Sequence, residues 1–361
     1  MTLPLSDITV LDLSWTLPGP YCTQLLGDMG ARVIKIERPD GGDYLRTLMP
    51  ATFNAVNRGK RSVIVDIKQP HGKEVLRQLL AGSDILIEGF RPSVLARLGL
   101  ATEVLQADYP TLVICSISGW GKGNLLSERY GHDLNYRGLA GAIGENEVRS
   151  GGASELLVAD FSAGLTAATA ILAALHRRNV TGMGAVIDLA IADIMLQWSA
   201  IQNWGTPTSR SRLRSSSPGH GIFTTQDQKM LTLGLIEDSI WDRMVFAADD
   251  ARLRAQKYAT HEQRILHSRE LTQDLADLIG TRTAGEWVAL GFDFDLPIFP
   301  VLTVAEALNH PHAYERGAVE EDVGVLKFAF PAKFDDLWFS AGSKVPTLNE
   351  HGLLAARDQD S

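Results

Sequence analysis

The chain has 361 residues, 45% of them hydrophobic and 21% charged, a length that suggests two lobes, each able to bury a core. Its net charge of -9 argues against nucleic acid as the main partner, because phosphate binding needs a basic face. A local cluster of Arg and Lys for a small phosphorylated ligand stays compatible with that charge. Cys22 and Cys115 are the two cysteines, too few for a disulfide framework or a cysteine-built zinc site. Both fall in apolar surroundings that predict buried, inert thiols, and no metal site is expected.

The opening Met1-Thr2-Leu3-Pro4-Leu5-Ser6-Asp7 lacks a basic region followed by an apolar one, as a secretion signal would have. No apolar run approaches the roughly 18 residues of a membrane span. The longest, Ala163 to Leu175, reads as a buried helix. The expectation is a cytoplasmic protein without membrane attachment.

In chain order, Ile8 to Leu13 is a β-rich run, and Pro18-Gly19-Pro20 opens an amphipathic helix, Tyr21 to Met29, that ends at Gly30. Strand signals follow at Arg32–Ile36, Ser62–Asp66, Asp84–Glu88 and Leu112–Ile117, with helical patterns between them. Strands spaced by helices predict a parallel sheet with crossovers, a doubly wound α/β domain of Rossmann-like form whose ligands sit beyond the carboxyl ends of the strands. The turn after the first strand, Ser14 to Pro20, has neither G-x-G-x-x-G nor a Walker lysine. A standard NAD or ATP site is therefore not expected.

Two helices, about Asp160 to His176 and Ala190 to Trp204, are joined through Ile187-Asp188-Leu189. The Ser-, Pro-, Gly- and Arg-rich stretch 206–221 reads as a linker. Ile222–Thr225 and Met230–Leu233 read as a hairpin, and helical patterns run from Ser239 to Gly291. The expected organisation is a large α/β domain over 1–205 and a smaller α+β domain over 222–300. The segment 301–361 would return to the large domain.

Three positions could carry chemistry. His132 lies in a glycine-led turn that opens a helix, Tyr130-Gly131-His132-Asp133-Leu134-Asn135-Tyr136. Asp160 stands where an apolar stretch meets a long apolar helix, a place that equally suits a helix N-cap. Glu237 follows the second hairpin strand and could cap a helix together with Asp238.

Taken together with other stretches, these residues fit a pattern. Ile8–Leu13 with Pro18-Gly19-Pro20, Leu26-Gly27-Asp28-Met29-Gly30-Ala31 and Ile36-Glu37-Arg38-Pro39 resemble class III CoA-transferases and α-methylacyl-CoA racemases. Asn57-Arg58-Gly59-Lys60-Arg61-Ser62, Asp66-Ile67-Lys68, Glu88-Gly89-Phe90-Arg91-Pro92, Arg97-Leu98-Gly99 and Ser118-Gly119-Trp120-Gly121 continue that resemblance. So do Pro300-Val301-Leu302 and His310-Pro311-His312.

The resemblance implies that Asp160 is catalytic, as a nucleophile in a transferase or as a base at the acyl α-carbon in a racemase. Gly131 to Tyr136 match the Gly-His-Asp-x-Asn-Tyr motif of the racemases, where the histidine is the second base, and Glu237 matches a glutamate near it. Many transferases look like Gly-Tyr-Asp at this point. They also carry a glycine-rich loop over the nucleophile, where this chain has Ser215-Ser216-Ser217-Pro218. Arg38, Arg58, Lys60, Lys68, Arg91 and Arg97 are the implied contacts for coenzyme A, which arrives as part of an acyl-CoA substrate, with no separate cofactor. The family also implies an interlocked homodimer, in which Glu237 would reach His132 of the other subunit.

Departures from the family pattern fall at Lys122–Leu125, Leu156, Ser162 and Ala163, around the acyl pocket. The leading expectation is a racemase or epimerase of 2-methylacyl-CoA thioesters that works by two-base proton transfer. The alternatives are a CoA transferase acting through an Asp160 acyl intermediate and an idle acyl-CoA-binding relative.

Overall fold

The computed structural model describes residues 2–144, 147–148, 151, 155–202, 218–317, 319–322 and 325–352. They divide into two compact units, one of residues 1–201 with 311–361 and one of residues 202–310.

The large unit is built on six strands: β1 (Thr9–Leu13), β2 (Arg32–Glu37), β3 (Arg61–Ile64), β4 (Ile85–Glu88), β5 (Val113–Ser118) and β6 (Ala185–Ala190). They pair in the order β3-β2-β1-β4-β5-β6, every pairing parallel. Successive residues of a strand point to opposite faces. Val10, Ile85, Ile87, Val113, Cys115 and Ile117 accordingly join a core on one face. Leu11, Leu13, Ile34, Ile36, Leu86 and Ile114 join another core on the other face. Burial on both faces explains why these strands read as continuous apolar runs. Cys22 and Cys115 are fully buried, and burial drives the Cys115 thiol up to about 12 and Cys22 well above its ordinary value.

β6 corrects the sequence reading, which took Ile187–Leu189 as a mere joint between helices. It pairs with β5 from Val113↔Ala185 to Ser118↔Ala190, a partnership too distant in sequence for local pattern to show. The helices on either side are α8 (Val158–Thr181) and α9 (Ile191–Gln202), after α1 (Pro18–Asp28) to α7 (Asp133–Leu139) in chain order. With 24 residues, α8 is longer than expected and is long and apolar enough to cross a membrane. Here its alanines Ala159, Ala163, Ala167, Ala168 and Ala174 are buried in the core. Gly164 lets α1 come close, since a Cβ there would stand 2.7 Å from the Pro18 carbonyl oxygen.

On the α1 side of the sheet, the β1–β3 end is charged rather than apolar. Asp12, Lys35, Glu37, Asp43 and Lys60 are all buried there. Lys60 reaches Asp12 at 3.2 Å and Lys35 reaches Asp43 at 3.0 Å. Arg58 forms two bonds to Asp28, at 2.6 and 2.9 Å, and Arg46 forms two to Glu37, at 2.6 and 2.8 Å.

Residues 341–351 return to this region. Ala341 N–H donates to Asp28, Gly59 N–H donates to the Lys344 carbonyl, and Arg46 donates to the Pro346 carbonyl. Ile64 N–H donates to Asn349 Oδ1 at 2.9 Å and Ser62 N–H to His351 Nδ1 at 3.3 Å, which closes the open edge of β3.

The small unit holds an antiparallel sheet of β7 (His220–Thr224), β8 (Met230–Gly234) and β9 (Ile298–Pro300). Helices over Asp238–Ala248, Ser268–Ile279 and Ala284–Asp293 cover it. Its core is apolar and aromatic, with Trp241, Trp287, Leu231, Leu271 and Leu275 enclosed. The boundaries differ from the expected ones. Residues 218–221 already belong to this unit through β7, while the rest of the expected linker, 206–217, lies outside the described residues. At the other end Val301 N–H donates to the Met230 carbonyl, so the return to the large unit begins at residue 311 rather than 301.

Candidate active site

In a doubly wound sheet the crevice opens where the strand order reverses, here between β1 and β4. The turn after β1 carries Thr16 at φ 65, a left-handed conformation uncommon outside glycine. Its neighbour Trp15 packs edge-on against Tyr44 and against Phe90, each with ring centroids 5.6 Å apart. Arg38, just past β2, lays its guanidinium 4.0 Å from the Tyr44 ring centre and donates to the Gly42 carbonyl. Arg91, just past β4, stands 3.4 Å from the Tyr130 ring centre. Its Nη2 is enclosed and donates no hydrogen bond among the described residues. Both arginines thus lie against aromatic rings along one edge, the carboxyl ends of β2 and β4 on either side of β1.

The other expected coenzyme A contacts separate from it. Arg58 and Lys60 are only 5% and 3% exposed and spend their charge on Asp28 and Asp12. A charge so enclosed and paired cannot meet a ligand without breaking the core, so these two residues belong to the frame. Lys68 is exposed, and Arg97 ends the helix that Arg91 caps.

Tyr130 leads from Arg91 to His132, which is exposed and holds the N-cap position of α7. Its backbone N–H donates to Asn135 Oδ1 at 3.0 Å. Tyr136 donates its hydroxyl to the Gly131 carbonyl at 2.6 Å, and its ring fills the space that a Cβ on Gly119 or Gly131 would need. Trp120 packs edge-on against that ring, 5.0 Å between centroids. Beside this turn lies an open depression of about 750 Å³, lined by Trp120, Leu126, Arg129, Tyr130, Leu134 and Leu139 among others.

Asp160 is not the N-cap that its sequence position suggested. The helix begins at Val158 with Leu157 as N-cap, so Asp160 lies in the first turn with its carboxylate free of capping duty. Burial, and after it the charge of Asp133, push its carboxyl up to about 6. Burial and the Asp160 charge likewise push Tyr136 up to about 12. What joins the two helix starts is Ala159 N–H, which donates to Asp133 Oδ2 at 2.6 Å. His132 precedes one end of that bond and Asp160 follows the other, so one hydrogen bond brings their two helix starts together. Sequence reasoning quoted Asp133 within its motif but gave it no task. Trp15, Tyr44 and Tyr130 were also missed, because only the fold brings them onto the arginines.

Glu237 lies in the small unit, exposed, at the N-cap position of Asp238–Ala248, without a capping bond from its side chain. Asp238 instead pairs with the enclosed Arg264 at 2.8 Å. Ser215 to Ser217 lie outside the described residues.

The parallel α/β unit thus carries a carboxylate raised toward neutrality, a histidine at the neighbouring helix start and arginines at its strand ends. Comparison with known proteins gives the family. The model of CoA-transferase family III matches residues 5–352, and the chain belongs to that family, whose members act on acyl-CoA substrates. It is 32% identical over 339 residues to α-methylacyl-CoA racemase of Homo sapiens, covering 89% of this chain and 85% of that protein. It is 31% identical over 338 residues to the succinyl-CoA–L-malate CoA-transferase alpha subunit of Chloroflexus aurantiacus, covering 87% of this chain and 78% of that one. Among solved structures, a CaiB/BaiF family protein from Brucella suis superposes with a TM-score of 0.85 at 30% identity, over 97% of this chain and 98% of that one.

Proposed function

We propose that this enzyme is a racemase or epimerase that inverts the α-carbon of 2-methylacyl-CoA thioesters by exchanging a proton between His132 and Asp160. The observation that carries this reading is the pinned pair of helix starts, with Asp160 held at about 6. A carboxylate and an imidazole can hold one proton between them and reverse roles with the hand of the substrate. For one enantiomer ionised Asp160 takes the α-proton while protonated His132 delivers one to the opposite face; for the other the direction reverses. Proton transfer by a positioned group supplies about 10²–10⁴-fold. Glu237 would orient His132 within an interlocked dimer, and Arg38 and Arg91 would hold the phosphates of coenzyme A. Removing either arginine should weaken coenzyme A binding by about 1.5–3 kcal/mol, measured by calorimetry.

A second reading, the CoA transferase, is favoured by relatives of that activity at nearly equal identity. There Asp160 attacks the thioester carbonyl, expels CoA thiolate and carries the acyl group as an anhydride. Incubation with a 2-methylacyl-CoA in D₂O separates the two. The racemase washes deuterium into Cα without an acceptor acid. An Asp160 adduct that forms and decays at the rate of turnover, with no wash-in, would establish the transferase instead.

A further inference from the structure

Asp133 is buried, yet its negative charge is incompletely answered. Its one cationic neighbour among the described residues is Arg137, a turn further along α7, which stands 3.7 Å away. Arg137 gives its close contacts to Glu147 instead, two bonds at 2.6 and 2.8 Å. The guanidinium is thus drawn off toward Glu147, and Asp133 keeps most of its field. The other Asp133 oxygen accepts the Ala159 N–H, one residue before Asp160.

The geometry points to Asp133 as the positioning residue of Asp160: its carboxylate fixes the first turn of α8 and presents to Asp160 a negative charge that Glu147 keeps Arg137 from cancelling. The inference rests on the reading of Asp160 as a proton-transfer group. A like charge a few ångströms away disfavours ionisation, and in an enclosed site it is screened little. Asp133 and Tyr136 on α7 act on Asp160 directly, Arg137 and Glu147 bear on it through Asp133, and His132 heads the same helix. Tyr136 stays neutral, so the balance lies between Asp133, Glu147 and Arg137, with His132 as the exchange partner. Helix starts ordinarily favour a carboxylate's charge, and here burial and Asp133 prevail.

The test titrates Asp160 directly, by carbon NMR of full-length protein labelled at its aspartate carboxyl carbons, with the resonance assigned from its loss in D160N. D133N removes the charge but keeps an oxygen for Ala159 N–H. E147Q lies outside the site and frees Arg137 to approach Asp133. Both variants should move the Asp160 titration downward by roughly half a unit or more, about a threefold rise in its ionised fraction at acid pH. The acid limb of α-proton exchange should move with it. An Asp160 titration that stays in place in either variant overturns the inference. Should D133N fail to fold, E147Q alone decides. A titration that moves while the exchange profile does not would uphold the role of Asp133 and remove Asp160 from the proton transfer.

Discussion

Asp12 and Asp160 both lie inside the large unit, yet the protein treats their charges in opposite ways. Asp12 loses more to burial, but Lys35, Lys60 and the hydroxyls of Ser14 and Thr23 outweigh that loss and hold it at about 2. Among the described residues Asp160 pairs with no cation; it meets the charge of Asp133 and rises to about 6. The same side-chain chemistry, fully buried in one case and half-buried in the other, thus gives one group that stays ionised and another poised to change. The difference lies in the partners. A fully answered carboxylate ties elements together, whereas an unanswered one keeps a proton within reach. Lys60 shows the same frame from the cationic side: burial draws it down to about 8, and Asp12 works against that loss.

The sharpest way to break the contrast is at Asp160. Asp160→Asn should lower α-proton exchange by about 10²–10⁴-fold while leaving the circular dichroism spectrum unchanged. Activity within a factor of a few of the parent would deny it any role in chemistry. Next comes Asp12→Ala, which leaves the buried Lys60 ammonium without its carboxylate. Urea unfolding should show a loss of about 3–5 kcal/mol, and a loss under about 1 kcal/mol would show that Asp12 does not hold the frame together.

The same pair predicts opposite pH signs for stability. A free aspartate in the unfolded chain titrates near 3.9, about two units above folded Asp12 and about two below folded Asp160. The contribution of Asp12 is present above about pH 4 and is lost as pH falls toward 2. That of Asp160 is present below about pH 4 and is lost as pH rises through 6. Asp160→Asn should therefore raise stability at pH 7.5 by up to about 2 kcal/mol, and the gain should vanish near pH 4. A gain that is the same at both pH values would contradict this account. The smallest effect belongs to exposed pairs such as Arg243 with Asp295, where Arg243→Ala should change stability by less than about 1 kcal/mol.

Much of this was legible in the residues. The strands β1 to β5 announce themselves as apolar runs, and His132 and Asp160 stand at helix starts where their neighbours place them. What stayed hidden depends on partners far along the chain. Arg58 and Lys60 look like ligand cations until Asp28 and Asp12, 30 and 48 residues earlier, claim them. β6 looks like a joint until β5, some 70 residues earlier, pairs with it. Asp133 was in plain view within its motif. Its bond to Ala159 crosses 26 residues, and no periodicity reports it.

The return of residues 341–351 to β3 also governs how the molecule can be made. Synthesis lays down β3 almost three hundred residues before Asn349 and His351, the groups that occupy its outer hydrogen bonds, with the whole small unit between. On the ribosome the sheet therefore waits with one edge bare until residues 341–351 are made, and a bare parallel edge is a template for the wrong strand. Short β3, with the charges of the frame beneath it, limits what can add there in the meantime. Residues 341–351 act as the latch, so a nascent chain halted before residue 341 would carry its α/β core with that edge still bare.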